Sequence, residues 1–92
     1  MILKVTKIDE RPSRFGSCFY YIFFKNLESG KSYKTCVGPD YRNFGHWQPV
    51  IKAFENNKDS DIIVRNTRVK KGNLLDADFA PKWSVKERLF DE

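Results

Sequence analysis

The stretch "SCFYYIFFKNLESGKSYKTC" (residues 17–36) decides how this chain folds. Five of the six residues from Phe19 to Phe24 are aromatic, the sixth is Ile22, and none is Gly or Pro. Aromatic and β-branched residues free of breakers predict a strand. "NLESGK" (26–31) predicts a hairpin loop in which Gly30 is available for positive φ, and "SYKTCV" (32–37) predicts the returning strand. Strand side chains alternate between two faces. Cys18, Tyr20, Ile22 and Phe24 share one face, while Phe19, Tyr21, Phe23 and Lys25 share the other. Cys and Ile favour burial, so the even set is assigned to the interior and the odd set to the outer surface. By the same rule Cys36 is assigned inward, which leaves Tyr33 and Thr35 outside. The outward aromatics are either covered by the rest of the chain or form a binding platform.

Upstream, "MILKVTKI" mixes apolar with Lys and Thr positions and predicts a first strand over residues 1–9. The turn-rich segment that follows is punctuated by Pro12, Ser13, Gly16 and Ser17. Downstream the period changes. Trp47, Val50, Ile51 and Phe54 stand at i, i+3, i+4 and i+7, which predicts a short helix. Pro49 is tolerated only in a first turn, so the helix is expected to start near Gly45 to Trp47, with Asn56 and Asn57 as terminators and Phe44 stapling its start to the core. "DIIVRNTRVKKGNLLDADFAP" (61–81) reads as strand, basic turn, strand. Ile62 and Val64 are assigned inward and Arg65 outward, and the strand is expected to run toward Val69. "KWSVKERLFDE" (82–92) is expected to form a helical turn or to fray, with Trp83 closing the bottom of the core.

Ninety-two residues make one domain: a barrel over residues 1–80 and a tail over 81–92. With 40% hydrophobic and 32% charged residues, the chain is of the folded, globular class. No stretch approaches the roughly 20 apolar residues of a membrane span, and no signal-peptide block opens the sequence, so a cytoplasmic protein without membrane contact is expected. The net charge of +5 is unevenly spread. Residues 1–36 carry seven Lys and Arg against three acids, and residues 62–75 carry Arg65, Arg68, Lys70 and Lys71 with no acid. Such segregation points to a polyanionic partner, although solvated turn residues give the same pattern.

Catalytic and metal chemistry find little support. Cys18 and Cys36 read as small core side chains, and with His46 they are too few and too dispersed for a zinc site. Asp76 and Asp78 share a strand face but lack a third ligand or a partner base, so they read as acids facing Arg or Lys. His46 neighbours no nucleophile, and phosphate-loop, dinucleotide and metal motifs are absent from the sequence. The expectation is a non-catalytic domain with no metal and no cofactor.

Three strands, a short helix and two strands follow the element order of the OB-fold, a five-stranded Greek-key barrel with its helix between strands three and four. An SH3-like barrel would not call for that helix. On "YYIFFKNLESGKSYKT", "IIVRNTRVKKGNLLDADFAP" and the basic balance, the chain resembles small OB-fold proteins that bind single-stranded DNA, including those carried by phages and conjugative elements. The resemblance covers residues 1–80 and rests on element order, with no family motif behind it. It implies that bases lie on the face of strands two and three, flanked by loops. Phe19, Tyr21, Phe23 and Tyr33 would then stack bases, and Lys25, Lys34 and Arg65 would neutralise phosphates beside them. Arg68, Lys70 and Lys71 would clamp the strand from the hairpin between strands four and five, and Tyr41 and Arg42 would extend the groove. The short acidic and apolar end "LFDE" bears a weak resemblance to the partner-recruiting tip of some single-strand binders. The same aromatic surface equally suits a protein partner or a second copy of the chain.

Overall fold

The computed structural model describes residues 1–12, 18–38 and 44–87. In chain order they form β1 (Leu3–Pro12), β2 (Cys18–Asn26), β3 (Ser32–Val37), α1 (Phe44–Asn56), β4 (Ser60–Arg65), β5 (Val69–Lys71), β6 (Leu74–Leu75) and β7 (Lys82–Glu87). The fold is mostly β with one helix, and its sheet is curled and open, a half-barrel. Strand order is β5-β6-β3-β2-β1-β4-β7. Within it β4-β1-β2-β3 is the Greek-key arrangement, in which the fourth strand returns beside the first. The helix falls between the third and fourth strands, as the sequence predicts.

The β2–β3 hairpin is built as expected from the central stretch. Asn26 is buried and its Oδ1 accepts hydrogen bonds from the Glu28 and Ser29 amides at 2.8 and 3.2 Å. Its own amide donates to the Lys31 carbonyl at 2.8 Å, and Gly30 takes φ 77°. That leaves four loop residues, Leu27 to Gly30, between the closing pair. An even-numbered loop pairs even residues of one strand with odd residues of the other. Phe24 therefore stands opposite Tyr33, Ile22 opposite Thr35 and Tyr21 opposite Cys36. The inward assignment of Cys36 is thus overturned. Tyr33, Thr35 and Val37 are buried with Ile22 and Phe24, whereas Lys34 and Cys36 share the outer face. Thr35 satisfies its inward hydroxyl by donating to the Leu75 carbonyl at 3.1 Å, which ties β3 to β6.

Helix α1 covers the interior face. Trp47, Val50 and Ile51 are buried against Leu3, Val5, Ile22, Phe24, Ile62, Val64 and Leu75, and Phe54 packs at their margin. The Phe44 ring lies 5.9 Å from that of Tyr20, which is the expected staple. The helix begins slightly earlier than predicted and ends on its predicted Asn pair, with Asn57 Nδ2 donating to the Ala53 carbonyl at 2.8 Å.

Three further expectations are corrected. The described residues form a curled, open half-barrel of seven strands, where the expected OB-like barrel has five. The fourth strand stops at Arg65 because Asn66 turns the chain with φ 58°, and a short β5–β6 hairpin follows around Gly72 at φ 57°. The segment Lys82–Glu87 is a strand, not a helical turn. Its alternation of Lys82, Ser84 and Lys86 with Trp83 and Val85 has period two, and β4 needs a second partner, so it pairs antiparallel along the whole of β4. Trp83 consequently sits on an edge and is exposed, and the tryptophan of the core is Trp47. No helix among the described residues is long and apolar enough to cross a membrane.

Candidate nucleic-acid interface

The face of the sheet opposite α1 is organised by register. Phe19, Tyr21 and Phe23 run as a column along β2, half-buried, with about 6.8 Å between successive side chains. Strand β1 departs from strict alternation, since a bulge lies between Val5 and Lys7. Leu3 and Val5 point inward before it. After it Ile8 packs inward, and Lys7, Asp9 and Arg11 move to the outer face opposite Phe23, Tyr21 and Phe19. The Lys7 Nζ stands 6.0 Å from the Phe23 ring centroid, and the Arg11 guanidinium 5.0 Å from that of Tyr21. These cations cover part of the Phe23 and Tyr21 rings and contribute to their partial burial.

On the other flank, Lys34 of β3 is opposite Phe23, and β6 continues the row with Leu74 in parallel register to Lys34. Lys71 of β5 pairs with Leu74. One row across five strands therefore reads Lys7, Phe23, Lys34, Leu74, Lys71, a width of about 19 Å. The next row holds Lys4 and Lys25, with Lys4 3.8 Å from Asp61. The face is cationic on both sides of an aromatic column, with Asp9 as the carboxylate of its middle row.

The predicted residues divide accordingly. Phe19, Tyr21, Phe23, Lys25, Lys34 and Lys71 share this face. Tyr33 does not, being 9% exposed inside the core with Lys31 over its ring at 5.6 Å. Arg65 lies on the outer side but beyond the Lys4–Lys25 row, next to Lys82, away from the aromatics. Lys70 is exposed within the β5 bulge. Arg68 holds the base of the hairpin: it lies 3.5 Å from Asp76 Oδ2 and 5.3 Å from the Phe79 ring. Asp76 faces Arg68 as expected, but it and Asp78 lie in the turn after β6 and not on a strand face, with Asp76 accepting from the Asp78 amide at 3.0 Å. Tyr41, Arg42 and the terminal "LFDE" lie outside the described residues, as does the side chain of Cys18. Sequence reasoning missed Lys7 and Arg11. The signal was the three-residue step from Val5 to Ile8, which breaks the alternation of two and marks the bulge.

Cys36 stands beside Tyr21 in the middle row. Burial pushes its thiol above the ordinary range, and a hydrogen bond with the Tyr21 side chain pulls it partly back. Only the thiolate alkylates. Cys36 is therefore expected to react with iodoacetamide more slowly than a free thiol near neutral pH, and to accelerate as pH rises. Tyr21→Phe removes the lowering contact and should slow it further. Peptide-mapped mass spectrometry reads the rate at Cys36 alone, and a rate equal to that of a free cysteine peptide would contradict this environment.

A cleft of about 830 Å³ opens elsewhere, between β1 from Lys4 to Glu10 and the end of α1, lined by Ile8, Glu10, Tyr20, Phe54, Glu55 and Lys58 among others. Its charges are mixed, and no group of three or more His, Cys, Asp or Glu suited to a metal occurs among the described residues. Comparison of the chain with models of protein families, with curated proteins and with solved structures found no match.

Proposed function

We propose that this domain is a non-catalytic binder of single-stranded nucleic acid, with DNA the first ligand to test. One observation carries the reading: a column of three aromatic rings on one sheet face, with Lys7, Lys34 and Lys71 in the row of Phe23 and Arg11 in the row of Phe19. Rings stack bases with little regard to sequence, and the flanking cations displace counterions from phosphates. The spacing of the column is comparable to the reach of one extended nucleotide, so successive bases would meet successive rings. The Greek-key order with its helix between strands three and four supports an OB-like reading, in which the β5–β6 hairpin stands for the fifth strand and β7 is an addition at the edge. A location in the cytoplasm and carriage on a mobile element belong to the same proposal.

The test is a fluorescence-anisotropy titration with oligo(dT), oligo(rU) and duplex DNA at low and moderate salt. Micromolar or tighter binding to the single strand, weaker for duplex and falling steeply with salt, is expected. Each phosphate contact contributes about 0.7 to the slope of log affinity against log salt on single strands, so Lys34→Ala with Lys71→Ala should flatten it by roughly 1.4. An unchanged slope would remove these two lysines from the interface, and an absence of binding at low salt would sink the reading.

A second reading, an assembly module, is favoured by edge strand β7, where Trp83 and Val85 are 39% and 44% exposed. Exposed apolar side chains on a strand edge invite pairing with another chain. A dimer in light scattering that persists in high salt and is lost on Trp83→Ser would support it.

A further inference from the structure

Asp9 is the misfit of the outer face. A carboxylate between Lys7 and Arg11 opposes any phosphate placed over the middle row, yet it sits level with Tyr21, at the centre of the column. We propose that Asp9 reads the edge of the base held at Tyr21 and gives the domain a preference for guanine. This inference rests on the single-strand reading above and goes beyond it, since stacking and phosphate contacts alone carry little sequence information.

The geometry leaves Asp9 able to do this. Its Oδ1 lies 3.4 Å from Lys7 Nζ and its Oδ2 4.0 Å from Arg11 Nη2, with a quarter of its side chain exposed (25%). A carboxylate offers about four lone-pair sites, so one contact at each oxygen leaves acceptor capacity toward solvent. The Arg11 guanidinium, 5.0 Å from the Tyr21 ring centroid, would extend beside that ring the platform on which a base stacks. A base stacked there turns one edge toward β1, where Asp9 stands. The carboxylate is acceptor-only and selects among bases by their donors. Guanine presents N1–H and the N2 amino group side by side, matching both oxygens. Cytosine and adenine each present one amino group beside a ring nitrogen whose lone pair repels the carboxylate. Thymine flanks its single N3–H with two carbonyl oxygens. Guanine is therefore preferred and thymine disfavoured.

The experiment compares three oligonucleotides of equal length in lithium buffer, which discourages guanine quartets: oligo(dT), alternating d(TG), and the same strand with hypoxanthine for guanine. Hypoxanthine stacks similarly and keeps N1–H but lacks the amino group. Good bidentate pairing discriminates by 1–3 kcal/mol, so d(TG) is expected to bind about tenfold tighter than oligo(dT), with the hypoxanthine strand between them. Asp9→Asn should erase that gap while strengthening binding to oligo(dT), because a repulsive charge is removed. A gap that survives in Asp9→Asn, or equal binding of all three strands by the parent, would reduce Asp9 to positioning Lys7 and Arg11 and overturn the inference alone. Failure to bind any strand would overturn the single-strand reading and this inference with it.

Discussion

Replacing Tyr21 and Phe23 together by leucine is expected to weaken binding of oligo(dT) by about a hundredfold, since each base–ring stack is worth 1–3 kcal/mol. Leucine is chosen because it keeps apolar volume on the strand but has no flat face. Both positions lie on the side of β2 away from α1, so the fold should survive with a modest loss from weaker cross-strand packing. The paired control is Tyr20→Leu. Tyr20 packs inward against Phe44, so that variant should lose stability while its folded fraction binds normally. Neighbouring residues on one strand would thus give opposite outcomes in melting and in binding. Double-variant affinity equal to the parent's would mean that the rings of β2 carry no bases, and the aromatic face would then be left to a protein partner.

Much of this arrangement was legible in the sequence because β2 is unambiguous. Its parity follows from Ile22, the hairpin from "NLESGK", and the helix from the spacing of Trp47, Val50, Ile51 and Phe54. The departures share one cause: residue type suggests a face, but register decides it. Residue type points Cys36 inward because cysteines are usually buried, but a four-residue loop with Phe24 inside forces Tyr33 and Thr35 inside. The same counting fails on β1, where the bulge after Val5 moves Lys7 and Arg11 to the aromatic side. Strand number is the other departure. The return from the basic turn splits into short β5 and β6, and nothing in "KWSVKE" announces that it pairs with β4 except its period of two. Tertiary pairing, not local propensity, made that strand.

Trp47→Ala is expected to be the most destabilising single substitution, at about 3–5 kcal/mol. Trp47 has no exposed surface, and its indole packs 5.9 Å from the Phe24 ring at 58°. Its Nε1–H donates to the Ala77 carbonyl at 2.8 Å, binding α1 to the chain that leaves β6. Truncation therefore removes a large buried ring and leaves a carbonyl without its donor. For a domain of this size each kcal/mol lowers Tm by about 4–8 °C, so a fall of roughly 15 °C or more should appear in thermal melts. Trp47→Phe keeps most of the ring volume and loses the hydrogen bond, so its cost should be nearer 1–2 kcal/mol. In a Trp83→Phe background the remaining tryptophan reports the core directly, with a red shift on unfolding. The link to function runs through the sheet. Trp47 supports the interior face of β2, and the aromatic column occupies the other face of the same strand. Below its melting transition, Trp47→Phe should bind oligo(dT) as the parent does. Weakened binding by a fully folded Trp47→Phe would instead show that the column depends on the packing beneath it, with β2 transmitting a shift in the core to the rings above.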